Sequence, residues 1–391
     1  MFVALREIRT ARGRFALMVT VVALITLLLA VLTALTQGLA RQSTSALDAL
    51  DGRVDRVVLT PTAGTTPTYA DSVVTAAQAD TWSSASGVTG VEPLAVGHAR
   101  VGRSGTGAAA SVALWGVAPA GVAARALTGE DLTREAGSAD ADRGRGDADH
   151  AVSAAAAGPL DEGAIVLPQD TADALGVRAG DTVDVEGHGL RVAAVRPTRW
   201  YAHSPVALLT SRTFAEVGHL ARGQVGSALL VRSAASDDVL AALDARAGTV
   251  ALTPRDSLGA LPGYRSEHSS LLLIQGFLYA ISALVVLAFV SVWTLQRTRD
   301  LAVLRALGAS RRYVLGDALG QAASLLVVGT ALGGALGAAL VLAIRDVAPV
   351  LAGPTTVGIP VLGIAVLGLL GSAAATRRVA RVDPLLALGG S

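Results

Sequence analysis

The sequence predicts a membrane protein with four transmembrane α-helices and a large mixed α/β extracellular domain inserted between the first and second. Three observations predict it. Hydrophobic residues make up 52% of the 391 and charged residues 16%, too apolar a balance for an ordinary soluble chain. Four apolar stretches are each long enough to cross about 30 Å of hydrocarbon. The arginines gather at the ends of those stretches, and the groups alternate so that all fall on one side.

Residues 1–14, Met1 to Arg14, read as a short basic amphipathic helix on the inner surface, with Arg6, Arg9, Arg12 and Arg14. The first span is expected over 15–38, because Phe15 to Gln37 carries no charge. A cleaved signal peptide is the rival reading. Its apolar core would be only about 7–15 residues long, so the length here favours a retained helix.

From 39 to 268 the chain turns polar, and short β-like runs appear between Gly and Pro: Arg56–Thr60, Ala110–Val117, Ala164–Leu167, Leu190–Val195 and Ser227–Arg232. That is enough chain for one or two mixed α/β lobes. Within it, Leu160–Asp184 reads as a strand, a helix from about Gln169, a stop at Gly176, a Gly180-Asp181 turn and another strand. Ser138 to Gly158 is rich in Ala, Asp, Gly and Arg without periodicity and reads as a loop. The triplet Arg145-Gly146-Asp147 inside it is an accident of that composition.

The second span is expected over 269–296, a basic segment over 297–313, the third span over 314–344, a short outer loop over 345–356, the fourth span over 357–376 and a tail over 377–391. Arg297 to Arg312 and Arg377, Arg378 and Arg381 then share a side with the N-terminal arginines, whereas the 345–356 loop has Arg345 alone beside Asp346. Both termini are thereby expected in the cytoplasm of a bacterial cell whose inner membrane the chain crosses several times. Gly329, Gly333 and Gly337 recur every fourth residue on the third span, so a neighbouring helix can approach closely. Packing within the protomer is one use and a dimer seam the other.

Composition also excludes functions. A net charge of +1 with dispersed arginines argues against a nucleic-acid surface. With no Cys there is neither a disulfide framework nor a thiolate metal site. No Lys occurs, and a nucleotide-binding P-loop needs one on the phosphates, so any ATP-driven work requires an ATPase on another polypeptide. No nucleophile–base pair or metal-ligand spacing is present: no catalytic residue, metal site or permanently bound cofactor is expected.

Between the second and third spans, Asp300 opens a helical turn, Leu301, Leu304 and Leu307 recur at roughly three-residue spacing, Gly308 can end the helix and Ser310 can cap the next. A generic basic loop obeying the positive-inside rule is the plain reading. The segment Arg297-Thr-Arg-Asp-Leu-Ala-Val-Leu-Arg-Ala-Leu-Gly-Ala-Ser-Arg-Arg312 nevertheless resembles the signature loop of FtsX/MacB-type ABC-transporter permeases, and Arg377-Arg-Val-Ala-Arg-Val-Asp-Pro-Leu-Leu-Ala-Leu388 is similar to the same family's closing segment. The resemblance implies a cytoplasmic ATPase partner that uses ATP. It places the coupling contact on Arg299, Asp300, Leu301, Leu304, Arg305, Leu307 and Gly308, and implies a small barrel-like lobe in the outer domain. Four helices are too few to enclose a path, so a homodimer in the lipid bilayer is expected.

Candidate substrate contacts lie at the outer domain's junction with the second span, Leu261 to Tyr279. Tyr264, Glu267 and His268 fall on adjacent turns if helical, beside Arg265, and Tyr201 and His203 stand in Arg199-Trp-Tyr-Ala-His-Ser-Pro205. Tyr and His can ligate haem iron, and Arg can meet a propionate. These runs resemble the haem-efflux, HrtB-type branch of the family. The same residues serve equally as interfacial anchors, and His203 as a turn residue. No aromatic cage is evident, aromatics being 4% of the chain. Two functions follow as expectations: export of an amphipathic, membrane-partitioned molecule, haem first, or an FtsX-like mechanotransmitter that moves an extracellular cell-wall hydrolase.

Overall fold

The computed structural model describes residues 12–62, 65–103, 107–129, 160–218, 220–296, 311–345 and 347–379. The chain divides into two compact units, Ala40–Glu267 and a second made of Met1–Leu39 with His268–Ser391.

The second unit is helical. Its parts come from α1 (Arg12–Asp48), α8 (Tyr264–Gln296), α9 (Arg311–Ile344) and α10 (Pro354–Val379), and each contains a stretch long and apolar enough to cross a membrane. The glycine stripe of α9 sets the packing. A Cβ on Gly329 would lie 2.7 Å from Val22 and one on Gly337 2.9 Å from the Ala30 Cβ, so α1 and α9 meet backbone to backbone. Gly334, on another face of α9, admits Val361 of α10 in the same way. Of the two uses foreseen for the stripe, packing within the protomer is the one observed. Hydroxyls in this apolar setting turn back on their own helices, Thr26 donating to the Val22 carbonyl at 2.8 Å and Thr330 to that of Leu326 at 2.7 Å. Between helices, Gln275 donates to Thr33 Oγ1 at 2.8 Å and Thr356 donates to Gln37 Oε1 at 2.9 Å.

The inserted unit is built on β1 (Arg56–Leu59), β2 (Val74–Thr75), β3 (Val88–Arg103), β4 (Ala109–Val117), β5 (Ala164–Pro168), β6 (Thr182–Val185), β7 (His188–Arg196), β8 (Trp200–Tyr201), β9 (Ser204–Thr210), β10 (Gln224–Gly226), β11 (Ala228–Ser233) and β12 (Val250–Leu252). Short helices connect them: α2 (Ala76–Ser83), α3 (Val122–Thr128), α4 (Gln169–Leu175), α5 (Ser211–Val217), α6 (Asp237–Ala247) and α7 (Pro254–Ser257). All five β-like runs of the sequence are strands. The Leu160–Asp184 section folds as expected too, with Gly176 left-handed at φ 63° as the stop of α4.

The main sheet runs β12-β1-β11-β3-β4-β9-β5-β7-β6, with β8 beside β9. Strand β6 returns to pair with the end of β3, Val101 opposite Val185, and closes β3-β4-β9-β5-β7-β6 into a small barrel. The 16-residue β3 therefore serves two lobes: Val88–Leu94 pairs with β11, and Ala95–Gly102 with β4. Alternate side chains enter different cores. Val112, Leu114, Ile165, Leu167, Ala207 and Leu209 fill the barrel, while Ala113, Trp115, Val166, Val206 and Leu208 face a second core on the other side of the sheet. Strands buried on both faces are apolar without interruption, hence runs such as Ala-Ile-Val-Leu at 164–167. Helix α5 lays Phe214 over the barrel wall. A Cβ on Gly116 would come within 2.6 Å of it, so only glycine lets this helix sit so close.

The expected loop at Ser138 to Gly158 and its Arg145-Gly146-Asp147 triplet, the N-terminal helix up to Ala11, and the tail beyond Val379 lie outside the described residues.

Candidate functional site

The junction residues are placed by a two-residue hairpin. Trp200 pairs with Pro205 and Tyr201 with Ser204, leaving Ala202 and His203 as its tip. Both tip residues are left-handed, at φ 46° and 62°, the pairing that matches hairpin twist and that Asn-Gly normally supplies. Holding two non-glycine residues there costs on the order of 1–3 kcal/mol each. The offset comes from the last turns of α1, which belong to the inserted unit. The N–H groups of Ala202 and His203 donate to the carbonyls of Ser43 and Gln42 at 3.0 Å each, and the Trp200 N–H donates to Ser45 Oγ at 2.8 Å.

At the tip, His203 Nε2 lies 3.1 Å from Ser43 Oγ and 3.0 Å from Glu267 Oε2. Glu267 sits in the first turn of α8, where a helix N-terminus favours an acid. An ionised carboxylate only accepts, so Nε2 carries the proton, with Ser43 beside the same N–H. A Ser-His-acid relay needs both ring nitrogens, one for each partner. Here one nitrogen meets both, so the trio is a clamp and not a nucleophile. Among the described residues no group of three or more His, Asp or Glu could hold a metal ion.

Tyr201 lies beneath the tip and is 1% exposed. Its ring meets those of Tyr69 and Trp115 edge-on at 5.8 Å each, with His98 at 6.1 Å. An aromatic cluster therefore exists where composition gave no sign of one; four distant segments supply it, and it packs as core. Burial pushes the Tyr201 phenol well above its ordinary range, and nearby Tyr69 adds to this, so Tyr201 stays neutral. Tyr69 is raised likewise by burial, partly offset by the bond its hydroxyl donates to Ser257 Oγ at 2.9 Å.

Tyr264 opens α8 and packs half-buried against the same core; His268 follows one turn later, also half-buried. Arg265 points elsewhere and lies against Gly259. The structure thus joins His203 to Glu267, stacks Tyr201 below them, sets Tyr264 and His268 on one helix face and leaves Arg265 apart. Ser43, Tyr69, Trp115 and His98 were not foreseen. Ser43 comes from 160 residues before its partner, and no local pattern marks it. Arg299, Asp300, Leu301, Leu304, Arg305, Leu307 and Gly308 lie outside the described residues.

A family profile described as the FtsX-like permease C-terminal domain matches residues 272–384. That stretch, from within α8 onward, is an FtsX-like permease domain. The chain is 24% identical over 220 residues to a protein of Staphylococcus haemolyticus named as the hemin transport system permease protein HrtB, across 55% of this chain and 60% of that one. It is 34% identical over 125 residues to an uncharacterized ABC transporter permease of Mycobacterium tuberculosis, across 30% of this chain and 33% of that one. The matches to the HrtB proteins thus span about 60% of those proteins' length. Among solved structures, the periplasmic region of MacB from Actinobacillus actinomycetemcomitans aligns with 53% of this chain and 94% of its own, at TM-score 0.32 and 12% identity. The extracellular domain of the ABC-type transporter YknZ aligns with 51% and 100%, at TM-score 0.32 and 11% identity. Neither likeness is strong enough to assign a role.

Proposed function

We propose that this chain is the permease subunit of an ATP-driven efflux system whose ATPase is a separate polypeptide. The FtsX-like domain over 272–384, in a chain with no lysine for a nucleotide P-loop, is the observation that carries the reading. The subunit would act as a homodimer in the cytoplasmic membrane, with the inserted domain outside and both termini inside. The segment from Arg299 to Gly308 would receive the movement of the ATPase and pass it on as a rigid-body shift.

Haem is the first choice of cargo. The relatives named for hemin transport support it, as does the chemistry at the start of α8. Tyr264 and His268, one turn apart, are the proposed iron-side contacts. Arg265 is exposed for a propionate, and His203 with Glu267 and Tyr201 would shape the site from the hairpin side.

The alternative, a mechanotransmitter acting on a cell-wall hydrolase, requires an apolar docking patch on the outer domain. Among the described residues of the inserted unit, the large apolar side chains that are exposed are Val73 and Val239, which favours export. Titrating haemin into the purified permease should give a saturable Soret shift that Tyr264→Ala or His268→Ala weakens at least tenfold. A titration with no shift would remove haem as cargo and leave the alternative.

A further inference from the structure

We infer that the barrel lobe carries a binding site for a small carboxylate-bearing ligand, in the cavity between α4 and the free end of β7. The strand accounts for the opening. The β6 ladder of β7 ends at Arg191, opposite Thr182, and the Val192 N–H still donates to the Asp181 carbonyl while its own carbonyl accepts from the Gly180 N–H, but from Ala193 to Arg196 the strand has β5 on its other side alone. A register shift between Ile165 and Val166 makes Ala193 an extra residue on β7, a bulge that bends the strand there. The loop after α4, Gly176 to Ala179, stands across from this unpaired stretch, and about 520 Å³ lies between them. That volume is within the range of small-molecule sites.

The lining says what the cavity would hold. Two guanidinium groups, Arg178 and Arg196, border it with the Gln169 amide and one carboxylate, Asp173. Asp173 already accepts from Gln169 Nε2 at 2.8 Å, and among the described residues no acid pairs with either arginine. The Nε of Arg196 is buried and has no acceptor. Buried donors are almost always satisfied, and a guanidinium edge is shaped to receive two oxygens of one carboxylate. Two positive charges against one negative leave the lining one charge short of neutral, which a monoanion supplies and a dianion oversupplies. The site lies in the barrel lobe and does not depend on the cargo.

Calorimetric titration of the full-length permease in detergent with benzoate, inorganic phosphate and uncharged benzamide tests the assignment. Benzoate should bind saturably and more tightly than phosphate, and benzamide should not bind. Arg196→Gln should weaken benzoate at least tenfold. Arg178→Gln, at an exposed position where folding is not at risk, should weaken it several-fold. Absence of saturable benzoate binding, tighter binding of phosphate, or affinity unchanged in Arg178→Gln would each overturn the inference, the first implying that water satisfies Arg196.

Discussion

Helices α8 and α9 differ by one residue in length, 33 against 34, and are similarly apolar, yet 39% of the apolar window of α9 is buried within the chain and 11% of that of α8. The difference lies in side-chain size along one face. α9 presents Gly329, Gly333 and Gly337 to α1, whereas α8 turns Leu272, Leu273, Phe277, Ile281 and Leu284 outward. In lipid, exposing leucine costs nothing, and helices gain by approaching closely. The inserted unit obeys the opposite rule. Water surrounds it, so its stability follows the apolar area removed from solvent, and among its described residues the exposed large hydrophobics are few. The two regions should therefore respond in opposite ways to gain and loss of side-chain volume.

The largest expected effect is in the inserted unit. Trp115 is fully buried against Tyr201, and Trp115→Ala should cost about 3–5 kcal/mol, seen as a lower unfolding temperature by calorimetry on the intact chain. Trp115→Phe should cost far less. The indole Nε1 has no acceptor, so removing it relieves an unmet donor while most of the ring remains. If alanine and phenylalanine cost the same, area is not what holds this region.

In the helical unit volume should hurt by addition. A Cβ on Gly333 would already press on the Ala23 carbonyl and lie 2.7 Å from the Thr26 Cβ, so Gly333→Leu should destabilise by about 1–3 kcal/mol or more, read as earlier unfolding in a detergent titration. A Gly333→Leu protein as stable as the parent would mean that α1 and α9 do not meet as described.

Much of this contrast could be read from residues alone, for reasons that differ by region. Gly329, Gly333 and Gly337 were legible because four-residue spacing is a local signal. The runs at 56–60, 110–117, 164–167, 190–195 and 227–232 were legible because strands covered on both faces are unbroken apolar stretches. β3 was not, since Gly90, Pro93, Gly97 and Gly102 punctuate it like loops. Only the structure shows that it changes partner after Leu94 and that Gly97 lies under Phe214. At the junction, His203 and Glu267 stood out as residue types, but their pairing spans 64 positions and the clamp's third member, Ser43, sits in an unremarkable polar run. Side chains that converge through topology leave no periodic trace.

The smallest expected effect is the sharpest control on the comparison. Leu284 on α8 is 65% exposed, an exposure that in a water-soluble domain would mark an unused residue or an aggregation hazard. If α8 meets lipid there, Leu284→Ala should change stability within about 0.5 kcal/mol, as at other positions that pack on nothing. Comparing the variant with its parent in detergent and at increasing protein density in bilayers separates lipid from protein neighbours. A loss that appears only as density rises would place a second copy against this face; no change at any density would leave lipid as its neighbour.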